Sequence, residues 1–288
     1  MSADLHLHTT ASDGSIKPAE LVKRARQRGL NAIAITDHDN VDGIAEALEA
    51  GRALGVTVVP GVELSSEYRD CDGEGCDLHF LGFFINYRSS FLRRHLERLV
   101  HARYQRAYEI VRRLQLDGVH IPFEQVKRIA GEGSLGRPHI ARALVEHGYV
   151  DTIQGAFRKY LERKGPYYVE KYTYSPREVI EVIRKAGGVA SLAHPGLCRC
   201  DSKIPEFAAA GLQAIEVYHT DHDPTQVNRY RRLAERLGLV ATGGSDCHGP
   251  VSLRGFLLGT VTVPDEVVEE LRALAGRQRK PVVSRAVR

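Results

Sequence analysis

His6 and His8 stand two residues apart in the run from Asp4 to His8, and a strand at that spacing turns both imidazoles to one side. Asp4 shares that side, while Leu5 and Leu7 point away. Two imidazoles so placed can bind one metal ion, although a lone His-x-His pair is common in chains that bind none. Here the pair has company at the ends of other apolar runs. Asp37 and His38 follow Ala32 to Thr36, Glu63 follows Val56 to Val59, and His79 lies inside Leu78 to Phe84. His194 follows Val189 to Ala193, His219 and His222 follow Ala214 to Tyr218, and Asp246 and His248 follow Leu239 to Thr242. Imidazoles and carboxylates without thiolate partners suit zinc, manganese or iron, and the carboxylate share keeps manganese among them. The chemistry such a set supports is metal-assisted hydrolysis.

Each position also has a plainer use. Asp13 suits a turn or a helix cap, Asp39 a cap for the helix that follows it, and Glu67 competes with Glu63. Pro195 is expected to hold His194 in an extended backbone. His95, His101, His120 and His147 fall away from the strand ends and read as surface residues. Cys71 with Cys76, and Cys198 with Cys200, lack the two-residue spacing of a zinc knuckle. Cys247 lies between two ligand candidates, but hydrolysis by a metal-activated water leaves a thiol nucleophile without a task.

Elements that could bring these residues together follow from the alternation of apolar runs with helical stretches. The runs above, together with Phe256 to Val261, read as strands. Pro18 to Arg28, Val41 to Leu54, Pro176 to Ala186 and Pro224 to Leu237 read as helices. A β/α barrel or open parallel sheet fits that alternation, and barrels build their sites at the C-terminal ends of strands. The rhythm breaks between residues 86 and 174, which read as helices carrying an arginine-rich face. The expected organisation is a discontinuous barrel, 1–85 and 175–288, with 86–174 inserted across its mouth.

Composition agrees: 43% hydrophobic and 26% charged residues supply a core and a solvated surface. A net charge of +4 admits an anionic ligand without requiring long duplex nucleic acid. The start lacks a basic, then apolar, leader, and no window approaches the roughly 20 apolar residues of a membrane helix. Five cysteines, an odd number, fit free thiols, so a cytoplasmic protein is expected.

The stretches Asp4 to Thr9, Thr36 to Asp39, Gly61 to Ser65, Ala193 to Gly196 and Gly244 to Gly249 together resemble the successive motifs of the PHP (polymerase and histidinol phosphatase) superfamily. The resemblance implies a distorted (β/α)7 barrel with a helical insertion and a trinuclear centre of divalent transition metals. The first ion would take His6, His8, Glu63 and Asp246; the second Asp13, His38 and His248; the third Glu63, His79 and His194. Asp13, where some relatives have histidine, makes a harder site and favours manganese over zinc or iron. The insertion, above all Gly136 to Arg142, resembles the nucleoside 3′,5′-bisphosphate phosphatases and relatives that trim short RNA from the 5′ end. That likeness implies phosphate binding by Arg137 and His139. It also implies hydrolysis by a hydroxide bridging the ions, with His219 or His222 protonating the leaving group. Expected partners are small phosphorylated nucleotides or short RNA, with no membrane. The rival enzyme is a histidinol-phosphate phosphatase. A rival of another class is an inactive metal-binding interaction module, whose usual mark is lost ligands, whereas all nine are present here.

Overall fold

Amphipathic helices on one face of short aliphatic strands set the architecture, seen in a computed structural model that describes residues 2–69, 75–131, 133–163, 165–170, 172–198, 200–250 and 255–279. The order begins β1 (Ser2–Asp4), α1 (Pro18–Gln27), β2 (Ala32–Ile35), α2 (Ile44–Leu54), β3 (Thr57–Arg69) and β4 (Gly75–Phe83). Four helices follow: α3 (Ser90–Leu116), α4 (Phe123–Ala130), α5 (Arg137–Glu146) and α6 (Ile153–Ala156), the last running into a π-helical turn at Phe157–Leu161. The chain then forms α7 (Pro176–Lys185), β5 (Val189–Leu192), α8 (Ile204–Ala209), β6 (Ala214–His219), α9 (Pro224–Leu237), β7 (Val240–Gly244), β8 (Val263–Pro264) and α10 (Asp265–Arg279).

The eight strands lie in the order β7-β6-β5-β4-β3-β2-β1-β8. The sheet nearly closes, because Leu5 N–H donates to Gly243 O at 3.2 Å and Leu7 bridges Cys247 in parallel. Closure presses backbone on backbone: a Cβ at Gly244 would sit 2.5 Å from the Cβ of His6, so only glycine fits there. Alternation along β2 sends Ile33 and Ile35 to the layer holding Leu21, Val22, Ile44 and Ala47 of α1 and α2. Ala32 and Ala34 face the barrel interior with Ala3, Ala214 and Val240, closed at one end by Val268, Leu271 and Ala275 of α10. Burial of each large side chain in these layers stabilises by about 1.5–3 kcal/mol.

Three expectations change. β3 runs 13 residues and pairs antiparallel with β4 from Gly61–Phe83 to Arg69–Gly75, and β4 is antiparallel to β5 as well. A parallel pair needs a crossover of a dozen residues, and only five separate β3 from β4. Phe256 to Val261 is not a strand. Leu258 and Gly259 turn, and two-residue β8 takes the edge beside β1 antiparallel. The first strand ends at Asp4, so Leu5 and Leu7 pack into different layers instead of one.

α3 joins two bodies of packing. Leu92, Leu96 and Leu99 belong to the barrel's outer layer, whereas Ala107, Ile110, Val111 and Leu114 meet Val126, Ile140, Leu144 and Leu161 in a separate cluster. Among the described residues of 86–174 the β pairing is a single bridge, Tyr174 to Ser66.

Candidate metal centre

Strand ends deliver the side chains to one place. His6 and His8 follow β1, His38 follows β2 and bridges to Glu63 of β3, and His79 projects from β4. His194 follows β5, His219 ends β6, and Asp246 and His248 follow β7. Glu63 lies in the middle of its strand and not beyond it, as the sequence had suggested, and it is the hub. Its Oε2 is 3.3 Å from His6 Nε2, 3.2 Å from His8 Nε2 and 3.0 Å from His38 Nδ1. Its Oε1 is 2.9 Å from His79 Nδ1 and 3.1 Å from His194 Nε2. Asp246 Oδ1 sits 3.4 Å from His6 Nε2 and 3.1 Å from His8 Nε2. Asp13 Oδ1 is 3.3 Å from His248 Nε2 and 3.7 Å from His8 Nδ1, and Asp13 Oδ2 is 4.0 Å from His38 Nε2.

Among the described residues, eight atoms of these side chains are buried without a hydrogen-bond partner: His6 Nε2, His8 Nδ1 and Nε2, Asp13 Oδ1, His38 Nδ1, Glu63 Oε2, His194 Nδ1 and His219 Nε2. Leaving one such group unmet costs about 1–3 kcal/mol, so eight in one cluster are the mark of a site that expects cations. Four sets bring their ligand atoms within 4.8 Å of one another: His8-Asp13-His38-His248, His6-His8-Glu63, His38-Glu63-His79 and His6-Glu216-His219. The residues fit divalent metal. Electrostatics agrees. Burial opposes charge on Glu63, Asp13 and Asp246, yet the surrounding imidazoles hold all three well below the usual carboxylate range. Burial likewise opposes charge on His8, but Asp246 and Glu63 push it up to about 10. A metal ion bound by His8 would therefore displace its proton, whereas burial holds His38 well below the usual imidazole range.

A second layer of polar residues fixes the first, and several of its members were not singled out from sequence. Glu216, fully buried on β6, lies 3.0 Å from His6 Nδ1 through Oε1 and accepts the His194 N–H through Oε2 at 2.7 Å. A carboxylate inside the aliphatic run Ala214 to Tyr218 was the available signal. Asp37 accepts from Thr9 N–H at 2.7 Å, Thr9 Oγ1 at 2.7 Å and Ser12 Oγ at 2.6 Å, tying the β2 exit to the loop that carries Asp13. Asp4 accepts from Ser245 N–H at 2.9 Å and from Ser245 Oγ at 2.6 Å, fixing the loop of Asp246. Asp39 does not cap α2, whose N-cap is Gly43. It accepts from Ser65 N–H and Oγ and from Arg103 Nε at 2.5 Å, bonds that join β2, β3 and α3. Nor is His194 extended. Its φ of 27° and ψ of 57° place it in the left-handed region, held there by the bond to Glu216. Asp246 (φ 53°) and Asp39 (φ 51°) share that uncommon conformation, and such strain concentrates at functional sites.

Of the remaining expected residues, His219 reaches the cluster and His222 stands behind it. His219 Nδ1 accepts from Asp221 N–H at 3.1 Å, which puts the proton of the neutral ring on Nε2, 3.6 Å from Asp246 Oδ2. Both nitrogens of His222 are occupied: Nδ1 donates to Val217 O at 2.9 Å and Nε2 accepts from Gly196 N–H at 3.1 Å. Arg137 opens α5 and lines a cavity of about 150 Å³ whose walls include Asp13, His38, His79, Arg103 and Arg106. Its Nη2 lies 3.5 Å from Asp77 Oδ2. His139 turns back along α5, where Nδ1 accepts from Gly136 N–H at 3.0 Å, and burial lowers its pKa to about 4. Glu67 is engaged by Arg163. His101, His120 and His147 are exposed, but His95 is half-buried, its Nδ1 2.8 Å from Tyr174 Oη. Cys247 faces the core with its thiol pushed up by burial; Cys71 lies outside the described residues.

The chain is similar to proteins already known. The PHP domain family matches residues 4–222. A 5′-3′ exoribonuclease, Rnm, of Escherichia coli K12 is 35% identical over 254 residues, covering 86% of this chain and 85% of its own. A 3′,5′-nucleoside bisphosphate phosphatase of Chromobacterium violaceum is 34% identical over 253 residues, covering 86% and 87%. A crystal structure from Bifidobacterium adolescentis, assigned as a metal-dependent phosphoesterase, superimposes with a TM-score of 0.86 at 32% identity, covering 94% and 96%.

Proposed function

Because the chain belongs to the PHP domain family, whose members here mark it as a metal-dependent phosphoric ester hydrolase, we propose that it releases the 3′-phosphate of nucleoside 3′,5′-bisphosphates. Short 5′-phosphorylated RNA is the second substrate of the same site. One observation carries this reading: the ligand cluster and the arginines of α3 and α5 open onto a single cavity. An ester can thus lie at the metals while another anionic group of the same molecule meets guanidinium. The names of the two relatives, one acting on a bisphosphate and one on RNA from its 5′ end, fit a substrate of that description.

Three divalent ions, manganese by preference, are assigned to the ligand sets His6-His8-Glu63-Asp246, Asp13-His38-His248 and Glu63-His79-His194. Bound there, such ions supply Lewis acidity toward phosphoryl oxygens and lower the pKa of water. The chain's own residues do the rest. Glu63 and Asp246 stay ionised and present oxygens to more than one imidazole pair. His219 holds its proton on Nε2 at the edge of the cluster and gives it to the departing oxygen. Arg137 lines the cavity as a phosphate contact, and His139 fixes the first turn of α5 beneath it. The helical segment 86–174 covers the mouth of the barrel formed by 1–85 and 175–288. No described helix is long and apolar enough to cross a membrane, and the reading places the enzyme in the cytoplasm with nucleotide partners.

The test is a phosphate-release panel with metal-reconstituted protein, run on adenosine 3′,5′-bisphosphate, adenosine 5′-monophosphate, histidinol phosphate and a 5′-phosphorylated oligoribonucleotide beside His8→Ala. Turnover of the bisphosphate, lost in the variant, is expected. Efficient turnover of histidinol phosphate with none of the bisphosphate contradicts the reading.

A further inference from the structure

The arginines around the cavity are not equivalent. Arg137 and Arg163 share the carboxylate of Asp77, at 3.5 Å and 3.0 Å. Arg103 is bound to Asp39 and to Ser65 Oγ. Arg106, on α3 one turn beyond Arg103, is different. It is 9% exposed and lines the same cavity, and its Nη2 is buried without a hydrogen-bond partner among the described residues. Its orientation is set from behind: Nε donates to Val169 O at 2.7 Å, and the guanidinium carbon lies 5.1 Å from the centre of the Tyr168 ring. Burial, with Arg137 nearby, lowers its pKa to about 10, still protonated at neutral pH. Burying a cation whose donors are unmet is costly, and an arriving phosphate repays both the charge and the open donor with a charge-assisted bond.

We propose that Arg106 binds the substrate's second phosphate, the one that is not cleaved, and thereby sets a preference for bisphosphates over monophosphates. This deepens the reading above and rests on it. Arg137 then acts beside a donor that was already in place, its own charge partly met by Asp77.

The experiment compares kcat/KM for adenosine 3′,5′-bisphosphate with that for adenosine 3′-monophosphate in metal-loaded wild type, Arg106→Gln and Arg106→Lys. The bisphosphate preference is expected to fall about 100-fold in Arg106→Gln and about 10-fold in Arg106→Lys, which keeps the charge but not the planar fork. An unchanged preference, or an equal loss on both substrates, overturns the assignment. Calorimetric titration with adenosine 5′-monophosphate, which carries only the second phosphate, gives a readout independent of turnover. Weaker binding by a similar factor in the variants is expected, and equal binding overturns the assignment. Arg106→Lys decides the matter if Arg106→Gln does not fold. Wild type that turns over neither substrate yet binds the monophosphate through Arg106 fails the bisphosphate reading alone.

Discussion

The barrel rim and the helical segment both present buried charge to one cavity, but they are built differently. At the rim, several of the clustered residues are held by a carboxylate from a neighbouring strand or its exit: Glu216 on His6 and His194, Asp37 on the Asp13 loop, Asp4 on the Asp246 loop. In the helical segment, arginines line the cavity and are met unevenly: Asp77 pairs with Arg137 of α5 and with Arg163, whereas Nη2 of Arg106 on α3 has no hydrogen-bond partner among the described residues. The difference teaches a division of labour. A metal centre tolerates little displacement and is fixed by short strands and paired carboxylates. A site that chooses among substrates can be set by single guanidinium groups on a helix packed in its own apolar cluster.

Changes at the rim should therefore cost more than changes in the helical segment. Glu63→Gln removes one charge from the hub of five imidazole contacts. It is expected to lower kcat/KM by at least about 10³-fold, with metal content of the purified protein falling in parallel; a variant that keeps its metal and most of its activity would break the comparison. Arg103→Met cuts the tie between the two regions and takes the guanidinium away from the buried Asp39 carboxylate. Denaturant unfolding should show a loss of about 3 kcal/mol. Glu216→Gln keeps the shape of the support behind His6 and His194 but weakens it, and metal affinity measured by competition with a chelator should drop about 10- to 100-fold. At the other end of the scale, Arg112→Ala alters an arginine on the solvent face of α3, paired with Glu109. Neither the melting temperature nor kcat/KM should move, in contrast to Arg103 and Arg106 on the same helix.

The cluster was legible because chemistry and position coincided: His6, His8, His38, His194, Asp246 and His248, which the fold brings together, each sit at or near the end of an apolar run. Which carboxylates support and which bind was not. Asp13 joins the cluster while Asp37 and Asp39 serve the scaffold, a distinction made by side chains 25 to 64 positions away, such as Thr9, Ser12, Ser65 and Arg103. Strand direction was equally hidden, since the alternation that marks β4 is the same for parallel and antiparallel pairing. The backbone at His194 defied the local rule for a residue before proline because one buried bond to Glu216 outweighs it. Arg106 could not be told from its exposed neighbours by spacing, because only the fold shows that its Nη2 is buried at the cavity with no hydrogen-bond partner among the described residues.

Stepwise addition of manganese to metal-stripped protein, with bound metal and release of phosphate from adenosine 3′,5′-bisphosphate followed together, tests the central claim. The rim as built predicts no turnover without metal, activity that grows with occupancy, and saturation at three ions per chain. Full activity in the metal-stripped protein, or saturated binding with no phosphate released, contradicts it.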